Sequence, residues 1–392
     1  MKKIVIIVGN AYSSDTRVNK EAQSLKKAGY DVVVYGINLG RKFKVEETID
    51  GIKINRLNID NYHPFRISGY KIFTQFKPAL NRLIKEKANV YHCNDLDTLP
   101  IGYLAAKKLK AKLVYDSHEL FSERVFDRKN FFVSALLGIK KPFWVVTESI
   151  LASKANAVIT INESIALELK KRYKIKEVIV VMNCPSKGLT KVTNSKKFHK
   201  LFGLSPDKKV ILYQGNLTLI RGLRELVLAA KYFPKDFVLV LMGDGKIKPD
   251  LEKLVSDLQL VKKVRFLKPV PLKDLAYFTA SADVGVIPYL NVCLNHYYCT
   301  PNKLFEYLGV GLPIAASDFP ELKKVIKGEN TGDLFDPSKP EEIAQTIKSI
   351  LSDQKEYEET RRNALEVARE KYNWENEEKK LISLYRTMLG NN

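Results

Sequence analysis

The chain has 392 residues, 45% of them hydrophobic, 28% charged and 10% aromatic. That length exceeds what one hydrophobic core usually fills, and the composition excludes a disordered or fibrous chain, so a soluble protein of two domains is expected. The net charge of +21 calls for an anionic partner but is uneven: residues 1–200 carry 37 Lys and Arg against 18 Asp and Glu, residues 201–392 carry 28 against 26.

In chain order, Lys3–Val8 reads as a strand, Val18–Ala28 as an amphipathic helix and Asp31–Tyr35 as a second strand, which makes a βαβ unit. The opening MKKIVIIVGN lacks the long apolar region and cleavage site of a secretion signal, so a cytoplasmic protein is expected. Further strands are predicted at Val90–His92, Lys112–Tyr115, Ala157–Ile161 and Val178–Val181. The apolar run Phe131–Ile139 stops at Lys140, Lys141 and Pro142, far short of the roughly 20 residues of a spanning helix. Residues 185–208 are polar, basic and rich in turn formers, and read as a linker between domains 1–184 and 209–372. Strands resume at Val210–Tyr213, Phe237–Met242, Val264–Leu267, Val284–Ile287 and Ile314–Ala316, and Pro340–Leu389 reads as helical throughout. Alternation of this kind predicts parallel sheets covered on both faces, with ligands bound beyond the carboxyl ends of the strands.

Three loops at such strand ends are chemically informative. After Val286–Tyr289 come Thr300, Pro301 and Asn302 and then a helix opening with Lys303, Leu304, Phe305 and Glu306. Free amides and a lysine at that helix start suit a phosphate, and Glu306 a ribose diol. After Val210–Tyr213 the chain turns at Gly215 and Asn216 and reaches Arg221, whose guanidinium suits a diphosphate. After Phe237–Met242 comes the turn Gly243, Asp244, Gly245. In the first half, Gly9 follows the first strand, where a tight turn lets backbone approach a phosphate. Asp95 and Asp97 form a D-x-D that is read here as helix capping rather than a metal site. Cys93, Cys184, Cys293 and Cys299 have no CxxC or zinc spacing and read as reduced thiols. HExxH, Walker and GxGxxG patterns are missing from the sequence.

The segments DTRVNKEAQSLKKAGYDVVVY, CNDLDTLPIG, VYDSHEL, AVITINESIA, YQGNLTLIRGL, MGDG, VRFLKPVP, ADVGVIPY and PNKLFEYLGVGLPIAASD, in that order, resemble the retaining nucleotide-sugar glycosyltransferases of family 4. The resemblance implies the GT-B fold: two Rossmann-like doubly wound α/β domains facing a cleft, with a final helix, 373–390, returning to the first. It implies a UDP- or GDP-sugar as donor substrate, no cofactor and no metal. Arg221 then stands where the family usually has a diphosphate-binding Lys, Glu306 where a Glu holds the ribose, and Phe266, Leu267 and Val270 frame the nucleobase. His118 is placed near the reacting sugar. Two positions depart from the pattern: Asn216 replaces a second phosphate-binding Arg, and Tyr298 the first acid of the E-x7-E pair. Catalytic roles are therefore expected for His118, Arg221 and Lys303. The acceptor is expected to be a glycan or a polyprenyl-lipid-linked glycan, in bacterial envelope polysaccharide synthesis. A nucleotide-sugar 2-epimerase of the same fold and a non-catalytic scaffold are the alternatives.

Arg66–Lys87 and Phe131–Trp144 interleave aromatic and basic residues, and in so basic a half they suggest peripheral association with an anionic membrane surface. No nucleic-acid motif accompanies them, so no nucleic-acid partner is expected. His63, His92, His199 and His296 have no comparable context.

Overall fold

The β-branched runs form two parallel sheets, each belonging to its own unit. The computed structural model describes residues 1–13, 15–38, 40, 42–58, 76–123, 144–192 and 196–390. The first unit comprises Met1–Asn183 and Glu377–Asn392, the second Cys184–Asn376.

In the first unit, β1 (Lys3–Ile7), β2 (Asp31–Ile37), β3 (Glu46–Ile49), β4 (Ile52–Leu57), β5 (Val90–Asn94), β6 (Lys112–Ser117), β7 (Ala157–Thr160) and β8 (Ile179–Val180) lie in the order β3-β4-β2-β1-β5-β6-β7-β8. Among the described residues only the β3–β4 pair is antiparallel. Helix α1 (Thr16–Lys27) begins where Asp15 accepts the Val18 N–H, and turns Val18, Ala22 and Leu25 inward. Helix α2 (Asp95–Leu109) follows β5 directly and α3 (Glu163–Tyr173) follows β7. The chain order reverses between β1 and β5, so the loops after these strands flank the switch point.

The second sheet holds β9 (Lys209–Gln214), β10 (Phe237–Met242), β11 (Val264–Leu267), β12 (Val284–Ile287), β13 (Ile314–Ser317) and β14 (Gly332–Phe335) in the order β11-β10-β9-β12-β13-β14, all parallel. Counted within the unit this is the dinucleotide-fold order, with the switch point between β9 and β12. Strands β9 and β10 are buried along almost their whole length, as a sheet covered on both faces requires.

Some expectations change. The segment read as a linker is folded into the second unit. A 3-10 turn spans Lys187–Lys191, Leu189 packs where a side chain on Gly309 would stand, and helix α4 (Lys197–Phe202) buries Phe198. Polar composition concealed these two apolar anchors. The helical tail is three helices, α7 (Pro340–Ile350), α8 (Gln354–Glu370) and α9 (Trp374–Leu389), with Asp353 capping the second through the Glu356 N–H. Helices α5 (Leu223–Ala229) and α6 (Asn302–Gly309) precede them. The β3–β4 hairpin and β14 were not anticipated, being short and partly polar. Of the aromatic-basic segments, residues 66–75 and 131–143 lie outside the described residues, as does His63. The described remainder of the first is a helix, Lys77–Lys85, that buries Ala79 and Leu83. Among the described residues no helix is long and apolar enough to cross a membrane.

Gly222 has φ +65°, and a Cβ there would collide with the Pro288 carbonyl, whereas Gly203, at φ +59°, has open space around it. Gly222→Ala is therefore expected to cost at least about 2 kcal/mol in thermal unfolding, and Gly203→Ala only the left-handed penalty of about 1 kcal/mol.

Candidate functional sites

In the second unit the loops after β9, β10 and β12 are joined by backbone. Gly215 donates to Met242 O (2.9 Å), Leu217 to Asp244 O (2.8 Å), Gly243 to Leu267 O (2.8 Å) and Leu290 to Ile220 O (3.3 Å). A Cβ on Gly243 would enter the Gly215 carbonyl, so the Gly-Asp-Gly turn is sterically required. Gly215 itself, at φ +128°, bends the chain out of β9.

These loops and the start of α6 assemble a cationic site. Lys303 is only 6% exposed, and its Nζ lies 3.6 Å from the centre of the Tyr213 ring and 5.2 Å from that of Tyr289. The Arg221 guanidinium stands over the same Tyr289 ring at 4.1 Å. Lys303 Nζ has no hydrogen-bond partner. Burial first, then repulsion by Arg221, push the Lys303 amine well below its usual range, and Glu306 opposes this only in part. Two basic side chains have thus been brought to one aromatic floor at the switch point, and Glu306 offsets their repulsion only in part.

The neighbouring polar groups are held. Gln214, the last residue of β9, donates to Glu306 Oε2 (2.5 Å) and accepts from Thr279 Oγ1 (2.8 Å). Pro301 is the N-cap of α6 rather than its first helical residue, and no side chain caps the helix. Leu304 is fully buried and its amide donates to Pro301 O (2.9 Å), so it belongs to the core rather than to a ligand surface. Thr300 is buried and Asn302 exposed. Asn216 and Asp244 are exposed, with Asp244 accepting the Gly245 N–H, while Phe266, Leu267 and Val270 are half-buried at and beyond the edge strand. Tyr298 packs on Tyr297 at 5.4 Å between ring centres.

Gly9 and His118 belong to the first unit. The space beside Gly9 is taken by the Asp97 carboxylate, whose charge is the wrong sign for a phosphate. Asp95 and Asp97 do not cap α2: Asn94 is the N-cap residue, with no side-chain bond, and Asp95 (φ +62°) accepts the His118 N–H at 3.1 Å.

Around His118 sits an ionic cluster that sequence reading missed. Arg17 Nη2 bonds both oxygens of Asp116 (3.0 and 2.9 Å), its Nη1 donates to Val181 O (2.9 Å), and its Nε meets Glu21 at 3.0 Å. His92 Nε2 and His118 Nε2 each lie 3.5 Å from Asp116 Oδ2, and His118 Nδ1 lies 3.8 Å from Asp95. The available signal was Arg17 and Glu21, four residues apart on the apolar face of α1. Burial works against the Asp116 charge, but Arg17 and His118 outweigh it and hold the carboxyl well below its usual range. Burial lifts Glu21 to about 7 despite Arg17. Burial disfavours charge on His118, yet Asp116 and Asp95 outweigh it and raise the imidazole to about 9.

Among the described residues, Glu21, Asp116 and His118 form the one group spaced like metal ligands. The Arg17 guanidinium already sits on both carboxylates, in the place a cation would take.

A sequence model described as "Glycosyltransferase Family 4" matches residues 15–185, and one described as "Glycosyl transferases group 1" matches 194–367. The chain belongs to glycosyltransferase family 4. This glycosyltransferase is 26% identical over 376 residues to an uncharacterized glycosyltransferase of Methanocaldococcus jannaschii, covering 93% of this chain and 92% of the relative. Its fold is that of sucrose-phosphate synthase from Thermosynechococcus elongatus (TM-score 0.81, 18% identity, all of both chains). It also matches Anabaena HepE, solved with UDP and glucose (TM-score 0.74, 15% identity, 99% of this chain and 100% of the other). The fold is accordingly GT-B, in its two parallel-sheet units.

The His118 pKa of about 9 exceeds its ordinary 6.5, so the stability it contributes is complete below pH 6.5 and is lost as pH rises through 9. Glu21, raised from 4.5 to about 7, also lowers stability as pH rises through its own range. Urea unfolding at a series of pH values is expected to show a loss of up to about 3 kcal/mol above pH 6.5, and His118→Gln to flatten that limb.

Proposed function

We propose that this glycosyltransferase retains anomeric configuration and moves a sugar from a nucleoside-diphosphate donor to a glycan or lipid-linked acceptor, in bacterial envelope polysaccharide synthesis. The observation that carries the reading is the buried Lys303 Nζ, without a hydrogen-bond partner and set beside Arg221 at the β9–β12 switch point. A diphosphate supplies an anion for both. The start of α6, where the N-cap residue makes no side-chain cap, adds a third source of positive potential. HepE, a fold relative, was solved with UDP and glucose, which supports a uridine nucleotide as the first to try.

Catalysis on this reading is electrostatic. As the glycosidic bond to the diphosphate breaks, charge grows on the departing oxygen, and Arg221 and Lys303 stabilise it where water is excluded by Tyr213 and Tyr289. Transfer is proposed to need no metal, because these side chains supply the required charge. Glu306, steadied by Gln214, is assigned to the ribose. His118, cationic below about pH 9, serves as a hydrogen-bond donor to sugar oxygens rather than as a base. The first unit, rich in Lys and Arg, is assigned the acceptor and an anionic membrane surface on the cytoplasmic side.

Tyr298, in place of the family's first acid, is the feature that favours a non-catalytic relative. A panel of UDP- and GDP-sugars with lipid-extract acceptor, run in EDTA, decides. Nucleotide release that depends on acceptor is expected, with a fall of about 100-fold or more in turnover for Arg221→Ala. Binding without release would support the scaffold, and donor conversion without acceptor the epimerase.

A further inference from the structure

The proposed reaction uses His118 but leaves the groups beneath it without a task. Arg17, Glu21, His92, Asp116 and Tyr385 are each 5% exposed or less, and burying so many ionisable groups is costly unless each is well paired. Beside Asp95, itself 26% exposed, His118, with 21% of its side chain exposed, is the basic member of this cluster that reaches solvent. Its charge and orientation are therefore the outlet of the network.

The far end of the network is Tyr385, on α9, whose hydroxyl lies 2.7 Å from His92 Nδ1. The direction of this bond follows from the other side of the ring. His92 Nε2 faces two carboxylates, Asp116 Oδ2 at 3.5 Å and Glu21 Oε2 at 3.9 Å, and a lone pair there would be repelled. Nε2 must carry the proton, so in the neutral ring Nδ1 accepts and the phenol donates. We propose that Tyr385 is a positioning residue for His118: its hydroxyl holds the His92 ring in the orientation that aims its Nε2 proton at Asp116, the carboxylate against which His118 rests.

Asp116 Oδ2 is shared by Arg17 Nη2 (2.9 Å), His92 Nε2 (3.5 Å) and His118 Nε2 (3.5 Å). The groups facing this arrangement are Arg17 and Glu21 from α1, His92 from β5, Asp95 at the start of α2, and Asp116 from β6. Withdrawing one donor from a shared carboxylate leaves more of its charge to the others. Loss of the Tyr385 hydroxyl leaves His92 Nδ1 without its partner and frees the ring to turn its Nε2 away from Asp116, and His118 then gains attraction for its proton. Simple loosening of the packing would act the other way and return His118 toward its ordinary 6.5.

The sign of the effect thus separates positioning from mere support. Histidine resonances of the whole protein, five in number and assigned with His118→Gln, can be titrated by NMR with neither donor nor acceptor present. In Tyr385→Phe the His118 midpoint is expected to rise by about 0.5 or more on the pH scale. An unchanged midpoint, or one that falls, overturns the proposal. His92→Gln supplies an amide donor that does not depend on Tyr385, so in that background Tyr385→Phe is expected to leave His118 where it was. An equal rise in both backgrounds overturns the route through His92. Should Tyr385→Phe not fold, His92→Phe withdraws the same donor, and a His118 midpoint that does not rise there overturns the proposal equally.

Discussion

A buried lysine amine facing two tyrosine rings, with a guanidinium beside it and Glu306 offsetting their repulsion only in part, is the constraint from which the second unit is best understood. Desolvation and mutual repulsion make Lys303 and Arg221 costly to hold together in the free protein. The cost is met by rigid surroundings. Strands β9 and β12 pass at the switch point, the loops behind them are tied by backbone hydrogen bonds, and glycines stand where any side chain would strike a carbonyl. Tyr213 and Tyr289 give the cations an electron-rich floor in place of water. A site built in this way exchanges folding stability for affinity toward an anion of matching shape.

The first unit handles charge in the opposite manner. Its cluster lies beside the other switch point, and there the ions are matched: Arg17 bridges Asp116 and Glu21, and His118 rests between Asp116 and Asp95. Such a cluster asks for no further ion. What it offers is one imidazole, kept cationic and fixed in direction, where the network meets solvent beside Asp95. On the reading proposed above, this contrast suits anion capture by the Lys303–Arg221 pair and hydrogen-bond donation by the balanced cluster.

Much of this was legible in the sequence where local chemistry and topology agree. Alternating strands and helices implied two parallel sheets, and loops after strands pointed to Gly215, Arg221, Lys303 and Glu306, because a switch point converts sequence order into proximity. What escaped notice depended on long-range contact. His92 sits in a plain apolar strand, and only the fold brings Tyr385 to it from 293 residues away. Asp95 and Asp97 look like caps until the backbone turns their carboxylates toward His118 and Gly9. Residues 185–208 look like a linker because their composition is polar, although Leu189 and Phe198 tie them into the second unit.

The central claim is that Lys303 is held against its own stability for the sake of a diphosphate, and Lys303→Met tests it most directly. Methionine fills similar volume without the charge, so the free protein is expected to melt higher than the parent while the stabilisation given by UDP or GDP disappears. A variant that melts lower and still gains the parent's full shift with nucleotide would contradict the account.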